Sequence, residues 1–270
     1  YACDGLKNQR LDTPFIRDGD KFSKISWDEA YKVLKSRLDS TEFEKVGCFT
    51  GDLTNMETTF AARELFNKVL KSSLIDSRSD NYYVNFSEKE NYRFNSGIAG
   101  IEESDLILMI GCNPRYEATI LNSRIRKSYI KSKLPIYSTN NIGDQTYPYE
   151  ILDNSTNFIK DIIDGKNELS EKIINSAKPI IIIGQSVLKM KSGKYIFEEL
   201  KKFLIKNNKL KTEWNSLNVL SKDASTVGSY DLTLFSSNNG RNLLLEKLNS
   251  NSIDLLFLLG QDKLKIKRDG

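Results

Sequence analysis

The residue types that could do chemistry in this chain are concentrated between positions 98 and 129. Glu102 and Glu103 form an adjacent carboxylate pair, the composition of many acid–base sites. Adjacent residues do not face each other on a helix, and nothing apolar encloses this pair to shift a pKa. A solvated helix end is therefore the favoured interpretation. Cys112 stands at a helix start, where a thiol pKa can fall, although a buried and inert cysteine is the commoner case.

The dipeptide Asn113-Pro114 indicates the start of a helix. An Asn side chain can cap the free amides there, and Pro suits the first helical position. The same helix start could instead hold a phosphate or another anion. Support from glycine is poor, because only Gly111 is adjacent and neither a Gly-x-Gly-x-x-Gly nor a P-loop pattern occurs. Gly97 and Gly100 are interpreted as turn residues rather than as a phosphate-binding loop.

The helix that begins at this dipeptide carries a dense set of basic side chains: Arg115, Arg124, Arg126 and Lys127. Arginine presents a planar fork that can bind the carboxylates of a partner subunit in bidentate fashion. Basic residues late in a helix also complement its dipole without any partner. Both interpretations stand, and contact with a partner is slightly favoured.

Histidine is absent from the 270 residues, and only three cysteines occur, at positions 3, 48 and 112. Ser-His-Asp and Cys-His nucleophile sets and the common histidine–metal sites are therefore excluded. The cysteines are too isolated to form the paired ligand sets of zinc or iron–sulfur sites within this chain. Their small, odd number favours a reducing compartment over a disulfide-bonded secreted scaffold.

Charge and hydropathy narrow the range of partners. Basic and acidic residues are interspersed and the formal net charge is +4, so the sequence does not indicate a nucleic-acid surface. No apolar run approaches the ~20 residues needed to span a bilayer. Any association with a membrane is therefore expected to run through partner proteins.

The elements that must position these residues alternate between strand and helix. Apolar runs predict strands at Val46–Phe49, Leu74-Ile75, Leu106–Ile110, Ile136–Ser138, Ile180–Ile183 and Leu255–Leu259. A short hairpin is predicted around Asp18-Gly19-Asp20, and residues 76–97 are predicted to be mostly loop. The last strand, Leu255–Leu259, has the pattern of a buried, central strand.

Helix starts are predicted from capping boxes at Ser26–Glu29 and Thr54–Glu57, in which a hydroxyl and a glutamate satisfy the first amides. Apolar spacing then predicts the inner faces of two helices, one with Ala62, Leu65, Phe66 and Val69 and one with Ile196, Phe197, Leu200 and Leu204. Further helices are predicted over about four turns from Pro114 and at 27–38, 156–163, 168–176 and 242–248.

This alternation predicts an α/β fold with mostly parallel sheets in Rossmann-like lobes. Residues 1–45 are expected to form an opening segment with a hairpin and a helix. Residues 46–150 are expected to form a first α/β lobe. Residues 151–270 are expected to form a second α/β lobe, truncated at its C-terminal strand.

A long run of polar and loop residues then matches a known family. It begins with Asp4-Gly5-Leu6-Lys7, Gln9-Arg10-Leu11 and Ser26-Trp27-Asp28-Glu29-Ala30. It is denser through Phe94-Asn95-Ser96, Ile98–Glu103, Asn113-Pro114-Arg115, Glu117-Ala118 and Arg124-Ile125-Arg126-Lys127. In these motifs the chain resembles the molybdopterin-oxidoreductase-like domain of the large iron–sulfur subunits of respiratory complex I. The similarity is close over the first 150 residues and looser afterwards.

The resemblance carries expectations about cofactors. In that family the N-terminal part of the large subunit carries [2Fe–2S] and [4Fe–4S] clusters, so these clusters are expected in that part or in a neighbouring subunit. The fold resembles formate dehydrogenase-type enzymes, which hold molybdenum through a bis-pterin cofactor with a Cys or selenocysteine ligand beside a His. Residues 76–86, the corresponding loop, contain neither, and Ser138-Thr139-Asn140 stands where those enzymes have Asp-Pro-Arg. No cofactor is therefore expected in this chain.

The resemblance implies a structural, non-catalytic part of the peripheral arm of NADH:ubiquinone oxidoreductase, in contact with other peripheral-arm subunits and the cluster-bearing part of the large iron–sulfur subunit. It implies the matrix side of the mitochondrial inner membrane, or the cytoplasmic face of a bacterial one. No catalytic, cofactor-binding or metal-binding residue is expected. Residues expected to serve architecture or partner contact are Asn113, Pro114, Arg115, Glu117, Arg124 and Arg126. A molybdopterin-type oxidoreductase fragment and a free-standing nucleotide-binding α/β protein remain as alternatives.

Overall fold

The strands of the computed structural model form three sheets. The structure describes residues 2–8, 10–77, 82–153, 155–232 and 240–261, so residues 78–81 of the predicted long loop lie outside the described part. Each strand predicted from an apolar run is present within one residue of its expected bounds. The strands are β1 (Phe15–Asp18), β2 (Lys21–Lys24), β3 (Val46–Thr50), β4 (Ile75–Asp76), β5 (Leu106–Ile110), β6 (Ile136–Ser138), β7 (Glu150–Ile151), β8 (Pro179–Gly184), β9 (Leu217–Leu220) and β10 (Leu255–Leu259).

Helices connect these strands in the alternation that the sequence predicts. The α-helices are α1 (Ala2–Asn8), α2 (Trp27–Asp39), α3 (Met56–Glu64), α4 (Gly97–Gly100), α5 (Pro114–Glu117), α6 (Thr119–Ser132), α7 (Thr156–Ile163), α8 (Glu168–Asn175), α9 (Gln185–Leu188), α10 (Gly193–Lys206), α11 (Thr226–Asp231) and α12 (Gly240–Asn249). Short 3₁₀ turns occur at Phe43–Lys45 and Lys89–Asn91, and a π-helical turn extends α3 over Leu65–Leu70. No helix in the described part of the chain has the length and apolar character needed to cross a bilayer.

The larger sheet is fully parallel and has the strand order β7-β6-β5-β8-β9. Its central pair, β5 and β8, is buried along its whole length. Successive side chains of a strand point to opposite faces, so Leu108 and Ile110 pack under α7, α8 and α10, whereas Ile107 and Met109 pack under α6. Coverage on both faces explains why these strands are continuous apolar runs rather than alternating ones.

The smaller sheet, β10-β3-β4, is also parallel and pairs Leu255 of β10 with Val46 of β3, so it joins segments that are far apart in sequence. The α/β class with parallel sheets is therefore confirmed. Within the described residues β10 is an edge strand and only half-buried, although its apolar run has the pattern of a buried, central strand. The Leu258 side chain of this strand is exposed.

The division of the chain at residue 150 remains a prediction about domains, but the strands are not grouped by it. The five-stranded sheet takes β5 and β6 from one side of that boundary and β8 and β9 from the other. The three-stranded sheet joins β3, near the start, with β10, near the end. Parallel pairing over long sequence separations therefore links the two predicted lobes.

The opening segment follows its local sequence signals. β1 and β2 form the predicted hairpin, with Gly19 in the left-handed region (φ 58°) that its tight turn needs. Ser26 and Glu29 form a complete capping box: the hydroxyl accepts from the Glu29 amide, and the carboxylate accepts from the Ser26 amide at 2.8 Å. α2 then runs for 13 residues without burying one of them.

The second predicted capping box is wrong. Asn55, not Thr54, is the N-cap of α3, and its side chain accepts a hydrogen bond from the Thr58 amide at 2.8 Å. The Thr54 hydroxyl instead donates to the carbonyl of Leu259 at 2.8 Å and accepts from the Gly51 amide at 2.9 Å. This hydroxyl therefore joins the ends of β3 and β10, a role that depends on a contact far away in sequence.

Two predictions about helix geometry are corrected by local changes in helix type. Val69 was expected on the buried face that includes Phe66, but it is exposed and Leu70 is buried in its place. The π-helical turn at 65–70 is wider than an α-turn, which rotates the later residues around the axis. The single helix predicted from Pro114 is broken at Ala118, whose extended backbone (φ −153°, ψ 70°) separates α5 from α6.

Candidate functional site

The carboxyl ends of β5, β6 and β8 border a crevice at the edge of the larger sheet, the place where sheets of this topology can bind a ligand. Counted along the chain, the sheet order is third, second, first, fourth, fifth, so the direction of winding reverses between β5 and β8. Open α/β sheets bind ligands at such a reversal. A cavity of about 270 Å³ lies there, and it is lined by Gly111, Thr139, Asn140, Ser186, Val187 and Met190, among others.

The innermost part of this crevice is filled by the chain itself. A Cβ atom on Gly184 would lie 2.1 Å from the carbonyl oxygen of Gly111, so the two strand ends touch backbone to backbone. The Ser186 hydroxyl donates a hydrogen bond to the same Gly111 carbonyl. Gly111 has φ 59°, and a Cβ there would also collide with Val187. The strand-to-helix turns therefore close on each other where a bound phosphate would need open backbone amides.

Asn113 holds a loop instead of capping its helix, so the predicted capping role is wrong. Its amide nitrogen donates to the Ile142 carbonyl at 3.0 Å, and its Oδ1 accepts from Gln145 Nε2 at 3.1 Å. Pro114 occupies the first helical position as predicted. The Gln145 Oε1 accepts from the Arg115 amide at 3.2 Å, so a residue 30 positions away satisfies the helix start.

Two further predicted residues complete this arrangement. Glu117 Oε2 accepts from the backbone amide of Asn113 at 3.1 Å, which satisfies the N-cap position from within α5. The Arg115 guanidinium donates to the Asp144 carboxylate at 2.8 Å, and this ion pair ties the loop after β6 to the helix after β5. The chemistry that these side chains perform here is the satisfaction of backbone polar groups and the joining of two loops.

Glu102 is the acceptor for two basic side chains of α6. Lys127 Nζ lies 2.8 Å from its Oε2, and Arg124 donates to its Oε1. Hydrogen bonds from Lys127 and then Arg124 lower the pKa of Glu102 below its ordinary value of 4.5. Because the native pKa is depressed, the pair stabilises the fold above pH 4.5 and loses that effect as the pH falls through the lowered native value. Glu102 is thus an ion-pair partner, while the adjacent Glu103 pairs with Lys178 at 2.5 Å.

Arg126 differs from the other predicted residues. Its side chain is exposed, and among the described residues it has no hydrogen bond or ion pair. Ile130, one turn further along α6, is also exposed. Of the six residues predicted to serve architecture or partner contact, the structure therefore places five in internal contacts and leaves Arg126 available to another molecule.

Two of the three thiols are buried, and only that of Cys3 is exposed to solvent. Cys112 is fully buried against Ile182, and burial raises its pKa, so the buried, inert interpretation is correct. Burial also raises the pKa of Cys48 to about 12. Cys3 is exposed. Within the described part of the chain, no three His, Cys, Asp or Glu residues are grouped as a metal site requires.

Sequence reasoning did not identify several residues that hold this region together. Gln145 is fully buried, and Asn122 and Tyr147 bond to each other at 2.8 Å beneath α6. Asp105 accepts from the amides of residues 177 and 178 at 2.6 and 3.0 Å, which fixes the start of β8 beside β5. No local sequence signal indicated these contacts, because each partner lies far away along the chain.

Comparisons with known proteins agree with this fold. Residues 10–270 match the molybdopterin oxidoreductase family. The NADH-ubiquinone oxidoreductase 75 kDa subunit of Reclinomonas americana is 34% identical over 283 residues, spanning 99% of this chain and 40% of that protein. The mitochondrial NADH-ubiquinone oxidoreductase 78 kDa subunit of Candida albicans is 34% identical over 271 residues, spanning 99% of the chain and 36% of that protein.

A bacterial relative gives the same result: an NADH-quinone oxidoreductase subunit from Rickettsia bellii is 33% identical over 264 residues, spanning 98% of the chain and 37% of that protein. The resemblance to the large subunits of complex I is thereby confirmed. The chain spans less than half the length of these curated relatives. Since the family match covers nearly all of its residues and the parallel α/β architecture agrees with it, the chain belongs to the molybdopterin oxidoreductase family.

Proposed function

We propose that this chain is a structural, non-catalytic part of the peripheral arm of NADH:ubiquinone oxidoreductase. It supports electron transfer from NADH to ubiquinone by holding neighbouring polypeptides in place. The observation that carries the proposal is the similarity of nearly the whole chain to subunits of that enzyme in two eukaryotes and a bacterium. The internal use of polar side chains at the strand ends supports a scaffolding role rather than a chemical one.

The residues around the strand ends do not fit the binding of the pterin cofactor found in the wider family. The Gly184 backbone packs against the Gly111 carbonyl, and the Ser186 hydroxyl donates to it, at the point where the winding of the sheet reverses. The chain has no histidine, and Cys48 in β3 and Cys112 after β5 are buried in apolar clusters.

The same region argues against the free-standing nucleotide-binding alternative. A phosphate at a helix start needs several unpaired backbone amides and room for close approach. Here the amides of Asn113 and Arg115 already donate to Glu117 and Gln145. The start of α5 is therefore occupied by side chains of the chain itself.

The proposal assigns the [2Fe–2S] and [4Fe–4S] clusters to the N-terminal part of the large subunit or to a neighbouring subunit. It assigns the chain to the matrix side of the mitochondrial inner membrane, or to the cytoplasmic face of a bacterial membrane, where it is held by its partners. The absence of histidine and of paired cysteines in the sequence supports this assignment of the clusters to another polypeptide or segment. Exposed Arg126 supports contact with acidic side chains of a peripheral-arm partner.

The test is native fractionation of detergent-solubilised membranes, with this chain followed by mass spectrometry. Co-migration with NADH dehydrogenase activity and with cluster-bearing subunits is the expected result. Migration as a free protein of about its own mass would overturn the proposal. In that case saturable binding of a nucleotide, or molybdenum and pterin in the purified protein, would identify which of the two alternatives is correct.

A further inference from the structure

Helix α2 carries an apolar face that the described residues leave largely uncovered. Trp27, Tyr31, Leu34 and Leu38 recur at helical spacing, yet only Leu38 packs against a core, the cluster around β3 and the π-helical turn. The Trp27 and Tyr31 rings pack against each other at 5.8 Å between centroids and are otherwise more than half exposed. A monomer in water rarely leaves a contiguous aromatic and aliphatic stripe exposed unless it contacts another molecule.

Three residues of this stripe, Tyr31, Leu34 and Leu38, form one wall of a groove of about 570 Å³. The opposite wall and floor come from Phe43, from Val69 and Leu70 of the π-helical turn, and from Phe257 of β10. β10 is a parallel edge strand and is only half-buried, and Val69 is 62% exposed. The groove therefore lies beside a strand edge that has no neighbouring strand among the described residues.

The rim of the groove carries one basic and one acidic side chain. Lys35 and Asp39 stand one turn apart on α2 and line the groove. Both side chains are exposed, and neither has an ion-pair or hydrogen-bond partner within the described residues. An occupant with apolar side chains at helical spacing and one charge of each sign at its edge would match this surface.

We infer that this groove is the docking site for an amphipathic segment of the polypeptide that corresponds to the remaining part of the large complex I subunits. The inference rests on the proposed function. In each of these relatives, the region similar to this chain makes up less than half of the protein. The remaining part belongs to the same polypeptide. Two parts of one polypeptide stay at high effective concentration, which favours a contact between them. The groove is an apolar surface beside an edge strand, and such a contact fits there.

The experiment uses two neighbouring residues of α2 with equal exposure. Leu34 and Val33 are each 40% exposed, but Leu34 lines the groove and Val33 does not. A photoreactive amino acid is placed at position 34 or at position 33 of the full chain in cells, and the cross-linked products are identified by mass spectrometry. Position 34 is expected to cross-link to a polypeptide similar to the remaining part of the relatives, and position 33 is not.

Charge insertion gives a second measurement on the same pair. Leu34→Glu would place an unpaired carboxylate in the apolar groove, so the fraction of the chain that co-migrates with the complex is expected to fall about tenfold or more. Val33→Glu is expected to leave that fraction unchanged. Thermal unfolding of both purified variants is compared, so that loss of assembly is attributed to the groove only if their midpoints agree.

Several outcomes would overturn the inference. A cross-link from position 34 to a second copy of this chain would make the groove a self-association surface. If positions 33 and 34 gave the same cross-links and the same co-migration, the groove would not be a docking site. The proposed function would still stand, provided that the unmodified chain co-migrates with the complex. Failure of the unmodified chain to co-migrate would instead remove the proposed function, and the inference with it.

Discussion

At the scale of single residues, the hydrogen bond between Tyr147 and Asn122 is a buried link between a loop and a helix. The Tyr147 hydroxyl donates to Asn122 Oδ1 at 2.8 Å, and both side chains are buried. Tyr147→Phe would leave that carbonyl oxygen without a donor, so we expect the free energy of unfolding to fall by about 1–3 kcal/mol. Urea denaturation checks this. Tyr116→Phe is the matched control, because Tyr116 is exposed, and an equal loss in both variants would contradict the assignment.

The cysteines give a second prediction at this scale. Cys3 is exposed, whereas Cys48 and Cys112 are buried and their pKa values are raised. A thiolate is the reactive form, so a thiol reagent at neutral pH is expected to label only Cys3 in the native protein and all three cysteines in denaturant. Peptide mapping after labelling measures this. Rapid labelling of Cys112 in the native protein would show that the strand-end crevice opens.

At the scale of elements, the contact between the ends of β5 and β8 brings two backbones together. Gly184→Ala would place a Cβ 2.1 Å from the Gly111 carbonyl oxygen, so the two strand ends would have to separate. Such overpacking typically costs about 1–3 kcal/mol of stability. Ser186→Ala removes only the hydrogen bond to that carbonyl and is expected to cost about 1 kcal/mol.

Chemical denaturation of the two variants compares these effects. We expect Gly184→Ala to be clearly the more destabilised, because a steric clash with backbone cannot be relieved by rotating a side chain. If Gly184→Ala were as stable as the unmodified chain, the backbone contact would be looser than described. The crevice would then have room for a ligand.

The elements also show what local sequence can and cannot predict. The capping box at Ser26 was predicted and is present, because both of its hydrogen bonds are made to a residue three positions away. The one at Thr54 was wrong, because its hydroxyl finds a better-placed partner in the Leu259 carbonyl, 205 positions away. The break at Ala118 and the π-helical turn at Leu65–Leu70 were missed, since propensity at those positions favours an ordinary helix.

At the scale of the whole molecule, substitutions at Arg124 and Arg126 allow the stability of the fold and assembly with partners to be tested separately. Arg124 is paired with Glu102 inside the chain, whereas Arg126 is exposed and has no partner among the described residues. Arg126→Glu is expected to leave the thermal midpoint of the isolated chain unchanged and to weaken co-migration with the complex, through repulsion of acidic partner groups. Arg124→Glu is expected to lower the midpoint as well, because it places two carboxylates together.

Thermal unfolding of the purified variants and native fractionation of membranes measure these two effects separately. Lys131→Glu serves as the control charge reversal, since Lys131 is exposed on a different face of α6. Neither arginine variant is expected to alter the spectroscopic signals of clusters that remain in the assembled complex. Normal assembly of the Arg126→Glu variant would contradict a partner contact at this helix.

The sequence by itself determined the α/β class, the bounds of the six strands with apolar runs and the family resemblance, but not β7 or β9. These depend on apolar runs and local motifs that can be read within a few residues. Only the tertiary structure decided that β3 pairs with β10, that Gln145 rather than Asn113 satisfies the start of α5, and that the described residues leave most of the apolar face of α2 uncovered. Each of these depends on which distant segments the chain brings together, because a hydrogen-bond partner or a covering surface is defined in space and not by spacing along the sequence.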